Sequence, residues 1–126
     1  MISHLSLGVR DLAASTALYD RCLAPLGYVR RYATERVSGY GPPGADASLD
    51  LFQVGAGSTR SPIAGFHLAF EAPSLAAVDA FHREALTAGG IDSGQPGLPP
   101  QYGDGYYAAF VLDLDGHKLE AVHHPA

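Results

Sequence analysis

The sequence predicts an α+β fold of paired βαβββ modules, forming a curved mixed sheet with helices on its outer side. Three observations carry this. Residues 4–28 recur as residues 67–91, at an offset of 63 in a chain of 126, with eight of 25 aligned positions identical. His4-Leu5 and His67-Leu68 open the two copies, which share Leu12/Leu75, Ala17/Ala80, Leu23/Leu86 and Gly27/Gly90. Each copy starts with period-two alternation and changes to three- and four-residue apolar spacing, the signature of a strand followed by a helix. Each is then followed by short apolar runs between Gly- and Pro-bearing breaks, which read as further strands. The chain is therefore read as one domain, 1–126, made of two repeats at about 1–56 and 64–126.

In the first repeat, Leu5, Leu7 and Val9 share one strand face, while His4, Ser6 and Gly8 share the other. Asp11 is placed to cap a helix running to about Leu26, with Leu12, Ser15, Leu18, Tyr19, Cys22, Leu23 and Leu26 on its inner stripe. Pro25 and Gly27 end it. Residues 28–34, 36–40 and 48–54 read as strands, and 55–62 as a connector between halves. In the second repeat, 65–71 is a strand with His67 opposite Phe66, Leu68 and Phe70. Ser74 opens a helix whose stripe is Leu75, Val78, Phe81, Ala85 and Leu86, stopped by Gly89-Gly90. Residues 91–103 are so rich in Gly and Pro that mostly loop is expected. Residues 106–112 and 118–123 are strands joined by a turn at Asp115-Gly116.

The bulk properties narrow the function. A net charge of −5 with scattered basic residues, Arg30-Arg31 being the sole Arg/Lys doublet, argues against nucleic acid. No apolar run reaches the length of a membrane span. The lone cysteine, Cys22, sits among apolar neighbours and reads as core, so a reducing cytoplasm is the simplest setting.

The chemistry is concentrated where the repeats correspond. Leu49-Asp50-Leu51 matches Leu119-Glu120-Ala121 at an offset of 70. Two histidines thus hold equivalent places on first strands, and two carboxylates on last strands. Strand parity turns both histidines away from the helices. A carboxylate buried in an apolar strand is costly unless it meets a cation. Two imidazoles with one or two carboxylates suit a divalent metal: Fe, Mn, Ni, Co or Zn. Asp50 has a second reading, as a sheet-edge or interface carboxylate paired with an arginine.

These residues resemble the vicinal oxygen chelate superfamily, which includes glyoxalase I, extradiol dioxygenases and the bleomycin- and fosfomycin-resistance proteins. The likeness rests on HLSLGV followed by Asp11-Leu12, on Tyr19-Asp20, Leu26-Gly27-Tyr28, GFHLAF, Tyr106-Tyr107, and on DLDG leading to Leu119-Glu120. It spans nearly the whole chain. The resemblance implies metal ligation by His4, His67 and Glu120. In four-ligand members a further glutamate falls on Asp50, which is one methylene shorter here. It also implies Lewis-acid chelation of two neighbouring substrate oxygens, Glu120 as the proton-transfer base, and a homodimer that completes the cavity. The leading reading is a metal-dependent enzyme of glyoxalase (lyase or isomerase) or dioxygenase type acting on a small molecule. The runner-up is a metal-free protein that sequesters an aromatic or drug-like ligand, and a third is a degenerate fold whose own tyrosines fill the cavity.

The remaining polar and aromatic residues have plainer readings. His82 is expected to face solvent and His117 to be a turn residue, while His123-His124 sit near a fraying end. Tyr106 and Tyr107 point to opposite faces, so one is a candidate to line the substrate pocket while the other packs, and Tyr102 is a candidate rim residue; plain sheet packing is the favoured reading for all three. GYGPPG, residues 39–44, fits the string G-x-G-x-x-G, but a strand follows it instead of the helix that dinucleotide binding requires.

Overall fold

The computed structural model describes residues 1–58, 64–98 and 105–124. The first half runs β1 (Leu5–Val9), α1 (Leu12–Leu23) with a 3-10 turn (Ala24–Leu26), β2 (Val29–Ala33), β3 (Val37–Gly41) and β4 (Leu49–Gln53). The second runs β5 (Leu68–Glu71), α2 (Leu75–Thr87), β6 (Ile91–Gly97), β7 (Tyr107–Leu112) and β8 (Lys118–His123). No helix among the described residues is long and apolar enough to cross a membrane.

Strand order is the same in both halves, β1-β4-β3-β2 and β5-β8-β7-β6. The first strand of each half lies parallel to its last, and the other pairings are antiparallel. The registers also agree: Ser6 lies opposite Asp50, and Ala69 opposite Glu120. Both offsets, 63 on first strands and 70 on last strands, are therefore built into the ladders. Asp50 is the counterpart of Glu120, and the neighbouring Leu51 is fully buried on the other face. One feature departs from expectation. The hydrogen bonding forms two separate four-stranded sheets instead of one continuous curved sheet. β1 and β5 each stand at the edge of their own sheet, and the halves are joined through α1 packing on α2.

The helices start where side-chain caps are available. Asp11 accepts from the Ala14 N–H at 3.1 Å and Ser74 from the Ala77 N–H at 3.1 Å, each worth about 1 kcal/mol. Leu7 and Val9 are buried while Ser6 and Gly8 are exposed, so β1 packs its apolar face inward. Leu18, Tyr19, Cys22, Leu23, Val78, Phe81, Val111 and Leu119 belong to one core cluster drawn from both halves. Leu75 and Leu86, expected on the α2 stripe, stay exposed; Ala77, Val78, Phe81, His82 and Ala85 form it. β6 is longer than its composition suggested. It is the outer strand of its sheet and breaks register around Gly94, and an edge strand tolerates Pro96 and such irregularity because its outer backbone groups need no partner.

The turn between β7 and β8 ties the halves together. Asp113, with its side chain fully buried, accepts from the backbone N–H of Asp115 and His117, both at 2.9 Å. Its other oxygen accepts from Tyr19 Oη on α1 at 2.6 Å and from His117 Nδ1 at 2.7 Å. Asp115 accepts from the backbone and side chain of Arg10, at 3.0 and 3.3 Å. Gly116 closes the turn at φ +89°, a region that favours glycine. His117 is thus a buried partner of Asp113, not an exposed turn residue. His82 is buried too, with Nε2 2.9 Å from Asp92 Oδ1. It is the repeat counterpart of Tyr19, and the packed face of the helix is kept even where the residue is polar.

Burial opposes ionisation of Asp113, but the bonds from His117 and Tyr19 outweigh it and hold the carboxyl below its ordinary value of 3.8. Burial likewise disfavours a charged His117, yet the bond to Asp113 raises its pKa above the ordinary 6.5. The stabilisation from His117 is complete below pH 6.5 and is lost as pH rises through its raised pKa; that from Asp113 is present above pH 3.8 and is lost as pH falls through its lowered pKa. Asp113→Ala should lower the unfolding free energy by about 3–5 kcal/mol, because it leaves buried donors unpartnered. In denaturant titrations, the stability difference between wild type and His117→Asn should be largest between pH 3.8 and 6.5. A difference that stays flat from about pH 3 to 9 would contradict the pairing.

Candidate functional site

Glu120 lies on β8 with its side chain only 2% exposed. Its Oε1 is 3.0 Å from Nε2 of His67, which immediately precedes β5. Its Oε2 accepts from the hydroxyl of Tyr106, just before β7. One oxygen therefore has a hydroxyl donor and the other an imidazole nitrogen close by, which offsets the cost of burying the carboxylate. Phe110 pairs with Glu120 across the ladder and presents an edge-on ring 6.1 Å from His67. Lys118 Nζ stands 4.9 Å above the centre of the Phe110 ring.

The equivalent place in the first sheet belongs to Asp50 on β4. Its Oδ1 accepts from Tyr32 Oη at 2.6 Å. Tyr32 reaches it by crossing Gly39: a Cβ at position 39 would lie 2.2 Å from the tyrosine ring. The hydrogen bond to Asp50 raises the Tyr32 pKa above its ordinary value. His4 is exposed, with Nδ1 3.0 Å from Ser3 Oγ. With Arg31, Tyr32, Asp46 and Asp50 it lines an open cleft of about 390 Å³.

The four residues singled out from the sequence are thus brought together in two pairs, His4 beside Asp50 and His67 against Glu120. Among the described residues no group of three or more His, Cys, Asp or Glu side chains is arranged to hold a metal ion. Within one chain positions 4, 67 and 120 do not form such a group, because the histidines lead into strands of different sheets. Each pair has the imidazole and carboxylate that a divalent first-row metal prefers, but only half the donor number of a complete site.

The tyrosines divide by strand parity. Tyr106 joins Glu120, whereas Tyr107 turns to the helix side and donates to Asp79 Oδ1 on α2 at 2.6 Å, away from the pocket proposed for it. Tyr102 lies outside the described residues. His123 Nδ1 is spent on the Ala72 carbonyl at 2.9 Å, and the ring of His124 stacks edge-on to Tyr106 at 5.3 Å. Sequence reasoning passed over Tyr32, Arg31 and Phe110. Gly39 and Gly94, which leave room for the Tyr32 and Phe110 rings, were the available signal.

A family model described as the glyoxalase/bleomycin resistance protein/dioxygenase superfamily matches residues 1–121. The chain belongs to this superfamily. A glyoxalase/bleomycin resistance protein from Albidiferax ferrireducens T118 is 31% identical, with 99% of each chain covered and a TM-score of 0.83. A glyoxalase/bleomycin resistance protein/dioxygenase domain from Frankia sp. EAN1pec is 25% identical over 99% of this chain and 98% of its own, at 0.70. A glyoxalase-related enzyme from Fulvimarina pelagi shares the fold at 22% identity and 0.76, covering 99% of this chain and 88% of its own. No match occurs among the curated proteins. As a superfamily member the chain has the α+β architecture of these neighbours, and the superfamily name spans more than one chemistry.

If Tyr32 is held over Gly39 as described, Gly39→Ala should expel the ring and release Asp50. The Tyr32 ring signal, followed by NMR with labelled tyrosine, should then titrate at lower pH than in wild type, as it should in Asp50→Asn. An unchanged Tyr32 pKa in both variants would show that the hydrogen bond does not form in solution.

Proposed function

We propose that this protein is a metal-dependent enzyme of the glyoxalase or dioxygenase type, acting on a small molecule with two neighbouring oxygens, and that it works as a homodimer. The observation that carries the reading is the arrangement of His4/Asp50 and His67/Glu120 as two equivalent half-sites on two equivalent sheets. Two donors do not complete a transition-metal site. A two-fold arrangement that sets the first sheet of one chain against the second sheet of another would bring four donors to one place, twice per dimer.

When bound, a divalent metal supplies Lewis acidity toward the substrate oxygens. His4, His67, Glu120 and Asp50 would hold it, Asp50 with the shortest reach. Glu120 has the further role of proton acceptor. Its buried carboxylate is oriented by Tyr106, and that hydroxyl fixes one oxygen while the other meets His67.

A second reading has its own support. The buried Glu120 carboxylate is already engaged within the chain by Tyr106 and His67, as suits a metal-free protein that binds its ligand beside these aromatic side chains.

Titration calorimetry with Mn(II) or Ni(II) tests the choice. The enzyme reading expects about one metal per chain, a dimer by analytical ultracentrifugation, and affinity reduced more than about tenfold in His4→Ala and in Glu120→Ala. Mixing those two variants should restore one intact site in each mixed dimer. A wild type that binds no supplied metal gives the binding-protein reading; metal binding by a monomer sinks the shared site.

A further inference from the structure

The Arg30-Arg31 doublet is split by the fold. In a regular strand Arg30 and Tyr32 would share a face and Arg31 would point the other way. β2 instead carries a bulge here: Arg30 pairs with Tyr40 and Tyr32 with Gly39, so Arg31 is the extra residue. Arg30 turns to the helix side, with Nη2 3.3 Å from Asp20 Oδ2 on α1. Arg31 and Tyr32 both line the cleft beside His4 and Asp50.

Among the described arginines Arg10, Arg21, Arg30 and Arg83 each make an ion pair; Arg31 and Arg36 make none, and of these two Arg31 is the one that lines the cleft. Two carboxylates share its cleft. Asp50 is engaged by Tyr32, and Asp46 lines the cleft without an ion pair to Arg31. A guanidinium presents a planar fork that matches a carboxylate with two parallel hydrogen bonds. Bulges beside binding sites re-aim a side chain in this manner.

We propose that Arg31 anchors a carboxylate of the substrate, and that the site therefore takes small hydroxy or oxo acids, with their neighbouring oxygens toward His4 and Asp50. The assignment rests on the reading of this cleft as part of the active site. It names the substrate class that the reading leaves open. Arg31 is a specificity-determining residue, and Phe52, exposed on the same strand face as Asp50, offers apolar surface for the remainder of the acid.

Mandelate and its uncharged counterpart mandelamide differ only in the charged group, and their binding to the full chain can be followed by NMR shift changes. In EDTA-treated wild type, mandelate should bind at least about tenfold more tightly than mandelamide, with shifts at Arg31, Tyr32 and His4. Arg31→Gln should abolish that preference, Arg31→Lys should keep part of it, and Arg36→Gln should leave it intact. Equal binding of the two compounds, no binding of either, or a preference that survives Arg31→Gln would overturn the proposal. Zn(II) calorimetry on wild type after removal of EDTA separates the two claims: wild type without Zn(II) binding refutes the metal reading, whereas wild type that binds Zn(II) but shows no mandelate preference refutes the role of Arg31 alone.

Discussion

The placement of Glu120 relative to the first half depends on a buried carboxylate that lies outside the site. Asp113 gathers two backbone N–H groups of its own turn, the hydroxyl of Tyr19 from the first-half helix, and the ring of His117. Charge-assisted bonds in a place without water are strong and directional. Asp115 and Arg10 add a second tie from the same turn to the end of β1. The β7–β8 turn is thereby locked onto the first half. β8 leads directly out of that turn, so the position of Glu120 follows from how the turn is held.

The core explains why polar ties matter in this place. The two helices pack on each other, and the shared core holds Ala77, Ala85, Cys22, Leu18 and Phe81. Such a seam is close-fitting but does little to choose between neighbouring registers, since one small apolar residue resembles the next. Directional bonds from Tyr19 and Arg10 make that choice. The repeat shows the same economy elsewhere: His82 stands where Tyr19 stands, and it meets Asp92 of its own half rather than bridging to the other.

The two half-sites have diverged within one plan. Each sets a carboxylate on the last strand, held by a tyrosine hydroxyl, beside a histidine that leads into the first strand. In the first sheet the tyrosine crosses a glycine and the pair stays open to a cleft; in the second the carboxylate is almost completely buried against His67, whose ring meets Phe110 edge-on. The open half is suited to admit a ligand. The closed half offers a carboxylate whose environment is already organised, which is the arrangement a proton acceptor needs.

The sequence by itself determined the duplicated βαβββ order, the helix caps at Asp11 and Ser74, and the pairing of Asp50 with Glu120 as counterparts. These depend on local periodicity, capping chemistry and spacing, which are written along the chain. Only the tertiary structure decided that the sheets are separate, that His4 and His67 lie in different half-sites, and that Arg31 shares the cleft of Tyr32. Those outcomes turn on inter-strand hydrogen bonding and on a bulge, neither of which leaves a periodic trace. His117 and His82 show the same limit: a polar residue is drawn into the core when a carboxylate from elsewhere in the fold meets it, and that meeting is a property of the packed molecule.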